Sequence, residues 1–377
     1  MNKELQDRQT GDTGAETDSR ATSSRWICTS NHGFFPYAQE ELRRKFGSLK
    51  SQVLESGEVG LVTLPAGTEQ VLEQLQGEPP MFLRHLFPVQ TEVKLEPGDT
   101  PHALLDRTVE AAKQQLLSRL KNQESLPQEN EGLAAAVQVR KSGESLWAGS
   151  ALELKEEIET RWCDASPGLR FVSRDADLVL SVFAGEESLY AGISAPSENL
   201  SDWNGGAIRF QREEGQISRA KFKLLEAERV FEIDFAGFKH ALDIGAAPGG
   251  WTSFLLDRGL SVTAVDPAEM NAELLRNPRL TYLKKNADSV SFGSREFDLL
   301  VCDMSWSPKL TAKMVINLLD SLAPGGTAVV TIKLLSKKPL ALIKEIIAMY
   351  TDARLQVIRA KQLFHNRDEI TLYMIKY

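Results

Sequence analysis

From Gly206 to Tyr377 short apolar runs alternate with amphipathic stretches, which is how a parallel sheet with crossover helices is written into a chain. The runs HALDIG (240–245), SVTAVD (261–266), LTYLKK (280–285), FDLLVCD (297–303) and TAVVTIK (327–333) have strand length. Helical stretches, among them WTSFLLDRG and LTAKMVINLLDSLA, are expected to separate them. Two last strands, RLQVIRA and EITLYMIKY, flank a polar turn around Asn366 to Asp368. That ending predicts a hairpin that adds an antiparallel strand to an otherwise parallel, seven-stranded α/β sheet.

Before Gly206 the pattern changes. RWICTS reads as a strand, YAQEELRRKF as an amphipathic helix and GEVGLVTL as a strand after a glycine turn, a small α+β module over residues 25–80. A second α+β unit is expected over residues 81–205, with a helix at Leu104 to Leu120 and strands at Ala134 to Arg140, Leu178 to Ala184 and Leu189 to Ser194. The polar run from Asn122 to Gly132 reads as a solvated loop between its elements. Residues 1–24 are rich in Thr, Asp, Ser and Gly and too poor in apolar groups to offset the entropy of folding, so they read as a disordered tail.

Composition narrows the classes without naming one. With 377 residues, 42% hydrophobic and 25% charged, the chain has enough material for two or three cores. Its longest apolar stretches, such as Ala328 to Ile332, are far short of the ~20 residues that cross a bilayer. The N-terminus lacks the apolar core of a signal, so a cytoplasmic protein is expected. Cys28, Cys163 and Cys302 are too widely spaced for a metal knuckle or a disulfide framework, and no metal is expected. The net charge of -8 is uneven: residues 206–377 carry 24 Lys and Arg against 20 Asp and Glu, the first 205 carry 20 against 32. A polyanionic partner would meet mainly the C-terminal half.

The segment ALDIGAAPGGWTSFLL sets a glycine-rich turn between a strand and a helix, where backbone N–H groups can approach a ligand. Gly245, Gly249 and Gly250 are expected to remove the Cβ atoms that would hold a ligand away, with Ala247, Pro248 and Trp251 completing the turn. Asp266, which ends the next strand 23 residues after Asp243, is placed for ribose hydroxyls. The run from Gly245 to Gly250 is G-x-A-x-x-G, a near miss to the dinucleotide fingerprint, so NAD stays open as an alternative. Asp243 favours S-adenosylmethionine: a carboxylate there can bind an ammonium group, whereas it would repel a pyrophosphate. Asp288, after the third strand, is a candidate for the adenine, or simply a solvated loop acid. Trp251 and Trp306 are candidates for stacking on a base or for the core.

Four further residues acquire meaning once the strands are placed. Asp303 ends the fourth strand and Lys333 ends the fifth, so both face the crevice outside the carboxyl ends of the sheet. Each alone is an ordinary solvated charge. With Lys223, on a helix introduced by Ser218 as N-cap, and Glu369 at the start of the last strand, they make a Lys, Asp, Lys, Glu set.

These segments, SRAKFKLLE, LDIGAAPGGWT, VCDM and the lysine ending TIK, resemble the FtsJ-like ribose 2'-O-methyltransferases. The resemblance implies a Rossmann-like fold, S-adenosylmethionine as cofactor and a catalytic tetrad of Lys223, Asp303, Lys333 and Glu369. KQLFHNRDEITLYM resembles more closely the RlmM-type enzymes, which methylate a ribose 2'-OH of 23S ribosomal RNA and carry a THUMP-containing N-terminal half. The resemblance implies that RNA, as 23S rRNA or a pre-ribosomal particle, is the partner. Arg209, Arg212, Arg219 and Lys221, ahead of the catalytic helix, are then candidates for phosphates, against the usual fate of such residues as a solvated face. Lys333 is the expected proton acceptor from the 2'-OH, or a cation beside the developing oxyanion; Lys223 would lower its pKa and Asp303 raise it. A base methyltransferase would carry an NPPY-like run where this chain has DMSW, and a silent RNA-binding or assembly factor would not need the four-residue set. The acidic N-terminal half departs from the basic surface that an RNA-binding module predicts.

Overall fold

The computed structural model describes residues 23–122, 132–163, 169–212, 214–336 and 338–377. Most of the expected tail (residues 1–22) and residues 123–131 of the expected loop lie outside them, as do the side chain of Cys163 and residue 337. The first unit runs β1 (Ser24–Thr29), α1 (Phe35–Phe46), β2 (Lys50–Glu55), β3 (Val59–Leu64), α2 (Thr68–Gly77) and β4 (His85–Pro88). Its antiparallel sheet has the order β2-β3-β1-β4. Helix α1 forms because Phe35, Ala38 and Leu42 fall on one buried face, and it stops at Gly47, whose φ of 83° is left-handed. The expected boundary between residues 80 and 81 cuts through this unit, since β4 pairs with β1 and sets Trp26 opposite Pro88. All four residues of β4 are buried, so the strand has no polar alternation by which to be recognised.

The second unit comprises β5 (Thr91–Lys94), α3 (Pro101–Asn122), β6 (Leu133–Lys141), α4 (Ala151–Cys163), β7 (Leu169–Phe171), β8 (Leu178–Ala184) and β9 (Ser188–Ser194). Its sheet has the order β5-β9-β8-β6-β7. Leu104 and Leu105 of α3 and Leu154 and Ile158 of α4 cover one face, packing on Val137, Leu180 and Ile193. From the other face Phe183 and Tyr190 meet Ile27, Leu61 and Phe87 of the first sheet. The two N-terminal sheets are thus joined face to face.

The third unit contains α5 (Lys221–Val230), β10 (His240–Ile244), α6 (Gly250–Asp257), β11 (Ser261–Val265), β12 (Leu280–Leu283), β13 (Phe297–Cys302), α7 (Pro308–Asn317), β14 (Leu322–Lys333), α8 (Pro339–Asp352), β15 (Leu355–Lys361) and β16 (Glu369–Lys376). The order β12-β11-β10-β13-β14-β16-β15 is the expected mixed seven-stranded sheet, and β16 is antiparallel to both neighbours. Helices α5 and α6 pack on one face, α7 and α8 on the other. Strict alternation with helices does not hold: only short 3-10 turns, Leu274–Arg276 and Ala287–Ser289, join β11 to β12 and β12 to β13. The connections there are polar and lack a helical apolar stripe to bury.

One core runs between units. Trp26, Phe35, Leu75 and Phe82 belong to the same cluster as Ile346, Tyr350 and Leu355, which fixes the first module against the hairpin side of the large sheet. Cys28 and Cys302 are buried small groups, as expected, and burial raises both thiol pKa values. Among the described residues no helix is long and apolar enough to cross a membrane.

Candidate active site

The chain leaves β10 in one direction, to β11 and β12, and returns for β13 and β14 on the other side. This reversal opens a crevice at the carboxyl ends of β10 and β13, where α/β sheets bind ligands. Gly245 follows β10 and Asp303 follows β13, and the Asp303 N–H donates to the Ile244 carbonyl at 3.3 Å.

Lys223, Asp303, Lys333 and Glu369 come together there. Lys223 Nζ, on the first turn of α5, lies 3.1 and 2.9 Å from the two Asp303 carboxylate oxygens and 2.5 Å from Glu369 Oε1. The other Glu369 oxygen pairs with Lys333 Nζ. Thr331 donates its hydroxyl to Asp303 Oδ1 at 2.7 Å. The order of contact is therefore Asp303, Lys223, Glu369, Lys333. Lys333 meets Glu369, whereas Asp303 is engaged by Lys223. The side chain of Glu369 is 3% exposed and that of Lys333 20%, so Lys333 is the member nearest solvent.

The field within the set follows from these contacts. Burial opposes the charge on Lys223, but Asp303 and Glu369 outweigh it and raise its pKa. Burial likewise opposes the Glu369 charge, yet Lys223 and Lys333 hold its pKa below the ordinary value. The network is thus ionic and mutually supporting.

The glycine turn differs in one respect from expectation. A Cβ on Gly245 would meet Met304 Cγ at 2.6 Å, one on Gly249 would meet Leu274 Cδ1 at 2.2 Å, and one on Gly250 would meet Ser218 Cβ at 2.9 Å. The space spared by each glycine is taken by protein, so they serve close packing of the turn, and Gly245 and Gly249 also have φ of +77° and +114°. Asp266 holds the turn, accepting from Ala247 N at 3.1 Å and Ala268 N at 2.8 Å. The exposed Pro248 accepts from Asn271 N at 3.1 Å. Asp243 is 1% exposed and accepts from the Thr252 hydroxyl at 2.6 Å. Burial, with Asp303 and Asp266 nearby, pushes its pKa up to about 7.

Other candidates separate. Trp251 is buried and its indole N–H donates to Ala220 O at 2.9 Å, so its side chain is part of the core beneath the turn. Trp306 is 37% exposed, and Asp288 is exposed on its 3-10 turn. Ser218 does not cap α5: the N-cap is Ala220, and the Ser218 hydroxyl accepts from Ala220 N at 3.2 Å in the turn before it. Arg209, Arg212 and Arg219 are exposed. Lys221 is not, being buried and paired with Asp257 Oδ2 at 3.0 Å. Among the described residues no cluster of three or more His, Cys, Asp or Glu is arranged for a metal ion.

The contacts that hold Glu369 were not legible beforehand. The turn between β15 and β16 is gripped from two sides. Glu226, three residues after Lys223 on α5, accepts from Phe364 N at 2.7 Å and His365 N at 2.8 Å. From the first module, Asn31 Nδ2 donates to Leu363 O at 2.8 Å and Asn366 O at 3.1 Å, while Lys361 Nζ donates to Pro80 O at 3.0 Å and Leu83 O at 2.6 Å. Burial pushes Glu226 up to about 7 and Lys361 down to about 8. Thr331 did leave a signal, since a strand's period of two puts it on the same face as Lys333.

Residues 216–363 match the FtsJ-like methyltransferase family, a span that holds the glycine turn, Lys223, Asp303 and Lys333 and ends before Glu369. The C-terminal half therefore contains an FtsJ-like methyltransferase domain. Over 205 residues the chain is 36% identical to the ribosomal RNA large subunit methyltransferase M of Psychromonas ingrahamii, covering 51% of this chain and 55% of that protein. Its counterpart in Halorhodospira halophila is 34% identical over 199 residues, covering 51% and 56%. The matched stretch thus spans about half the length of these curated relatives. Among solved structures, TrmN from Thermus thermophilus aligns over 94% of this chain and 100% of its own at TM-score 0.39 and 16% identity, too remote a likeness to build on.

Proposed function

We propose that this protein is an S-adenosylmethionine-dependent RNA ribose 2'-O-methyltransferase acting on 23S ribosomal RNA, free or in an assembling particle. The observation that carries this reading is the contact of Lys223, Asp303, Lys333 and Glu369 beside the turn after β10. The names of the relatives point to the same substrate.

The residues at the turn fit the cofactor. A buried carboxylate, Asp243, one residue from the end of β10 suits an ammonium group and opposes a pyrophosphate. The second oxygen of Asp243 would take the methionine ammonium, and Asp266 and Asp288 would serve the ribose and adenine. When bound, the cofactor supplies a methyl group made electrophilic by its sulfonium. Lys333, the member of the set nearest solvent, first gives its ammonium proton to water and as the neutral amine takes the proton from the ribose 2'-OH as that oxygen attacks; the paired Glu369 carboxylate stabilises the ammonium that forms again. Lys223, held between Asp303 and Glu369, keeps both carboxylates in place and helps hold the Glu369 pKa below its ordinary value.

Residues 206–377 are then the catalytic domain, and the five-stranded unit with α3 and α4 is the THUMP-like one. Arg209, Arg212 and Arg219 lie on the phosphate path leading to α5, and the protein works in the cytoplasm. The test is transfer of tritium from labelled S-adenosylmethionine to RNA, with alkali resistance of the labelled linkage, and ribose-methylation mapping of total RNA with and without the gene. Label in an alkali-sensitive linkage, or no lost signal in 23S rRNA, would overturn the reading.

A further inference from the structure

Three half-buried rings from three separate segments meet where α5 faces the turn between β15 and β16. Phe210, before α5, stacks on Phe222 of α5 at 5.7 Å between centroids and 27° between planes. His365, from the turn between β15 and β16, lies 5.5 Å from Phe210 and 5.2 Å from Phe222, and Phe364 stands 5.1 Å from His365. Phe210, Phe222 and Phe364 pack into none of the four hydrophobic cores. Large rings left partly in water, outside any core, forgo burial that folding would otherwise use.

Position and charge say what would cover them. Phe222 directly precedes Lys223 on α5, His365 is four residues ahead of Glu369, and the backbone N–H groups of Phe364 and His365 donate to Glu226 on α5, so the rings stand on the two segments that carry Lys223 and Glu369. The exposed Arg209 adjoins Phe210, the exposed Arg367 follows His365 by two residues, and the field of Arg219 reaches the His365 ring. The Arg84 guanidinium carbon lies 5.1 Å from the Phe364 centroid. Burial and Arg219 hold the imidazole below its ordinary pKa, so at neutral pH His365 is an uncharged ring.

We propose that Phe210, Phe222 and His365 form a stacking subsite for one unpaired nucleobase of the RNA, adjacent to the ribose that is methylated, with the flanking arginines on its phosphates. This rests on the RNA methyltransferase reading above. Every base has a π-face, so such a subsite holds a strand without reading its sequence, while phosphate contacts set the register.

The test is fluorescence anisotropy of the full chain with a short labelled oligoadenylate and with an abasic oligomer of the same length. Phe210→Leu, which keeps apolar volume and loses the ring, is expected to weaken oligoadenylate binding by about 5- to 100-fold and to leave the abasic oligomer unaffected. Phe210→Trp restores it, and Arg209→Ala weakens both oligomers and lowers the salt dependence. Wild-type affinity of Phe210→Leu for oligoadenylate, or an equal loss with both oligomers, would overturn the subsite. Tritium transfer to ribosomal RNA by the wild type, run in parallel, separates the two readings: its absence rejects the methyltransferase function, whereas its presence with unaltered Phe210→Leu binding rejects the stacking subsite alone.

Discussion

Lys333 and Glu369 stand opposite one another in the antiparallel ladder of β14 and β16, and their charged ends meet at the carboxyl edge of the large sheet. The pair is set by strand register, so it does not depend on the reach of a flexible loop. A slip of one residue would turn Glu369 to the other face. Lys223 then ties this pair to Asp303, two strands from β16 in the sheet.

The most direct prediction concerns Lys333. Lys333→Ala should bind S-adenosylmethionine as the wild type does, since Lys333 lies outside the glycine turn, and lose about 100-fold or more in methyl transfer. Single-turnover kinetics beside calorimetric binding separates the two. Normal turnover would remove Lys333 from the chemistry.

Lys223 carries a structural load as well. Lys223→Met leaves the buried Glu369 and half-buried Asp303 carboxylates without their shared cation, at a cost of about 3 kcal/mol in chemical denaturation. The sign with pH follows from both partners. The lowered pKa of Glu369 adds stability above the ordinary value of 4.5, which is lost as pH falls through the folded value. The raised pKa of Lys223 adds stability below 10.5, which is lost as pH rises through its folded value. The gap between wild type and variant should therefore narrow at both extremes.

If Asp243 holds the ammonium group as proposed, cofactor binding should depend on pH. Its pKa of about 7 leaves it largely protonated below neutrality, while an ammonium group requires the carboxylate. Affinity for S-adenosylhomocysteine should rise up to about tenfold per pH unit below 7 and level off above it. Asp243→Asn should bind more weakly with a flat profile, and an unchanged slope in that variant would place the titrating group elsewhere.

Gly249→Ala should fail for packing rather than for ligand access. Its φ of +114° disfavours a side chain, and the new methyl would sit 2.2 Å from Leu274 Cδ1 and 2.8 Å from Met270 Sδ. A loss of at least about 1 kcal/mol is expected in thermal or urea unfolding without cofactor. A stable variant with weakened cofactor binding would instead favour a role in ligand access.

Glu226 offers the means to loosen Glu369 without touching it. Glu226→Gln keeps one acceptor and turns an NH2 group toward a backbone N–H, so the amides of Phe364 and His365 should exchange hydrogen faster and kcat should fall, with cofactor affinity retained. Arg84 and Lys361 are the cations that face this carboxylate, and burial still raises its pKa to about 7. Between its ordinary 4.5 and about 7 only the folded form keeps the proton, so this group's contribution to stability falls as pH rises through that window. The variant should lose that slope, and unchanged exchange at Phe364 and His365 would rule out the grip.

Local pattern determined much of this protein. The short apolar runs of the C-terminal half, the terminal hairpin, the glycine turn and the position of the four charged residues at strand and helix ends follow from residue type and spacing, because strand direction dictates which end faces the crevice. Three things were decided only by tertiary structure. Four-residue β4 belongs to the first sheet because of its pairing with β1, which no local signal records. The glycines of the turn spare room for Met304, Leu274 and Ser218, contacts made across long stretches of chain. Glu226, Asn31 and Lys361 grip the turn before Glu369 because folding brings together residues up to 335 positions apart. Hydrophobic periodicity reports which face of an element is buried, whereas a polar contact of that kind depends on where two distant segments meet in space.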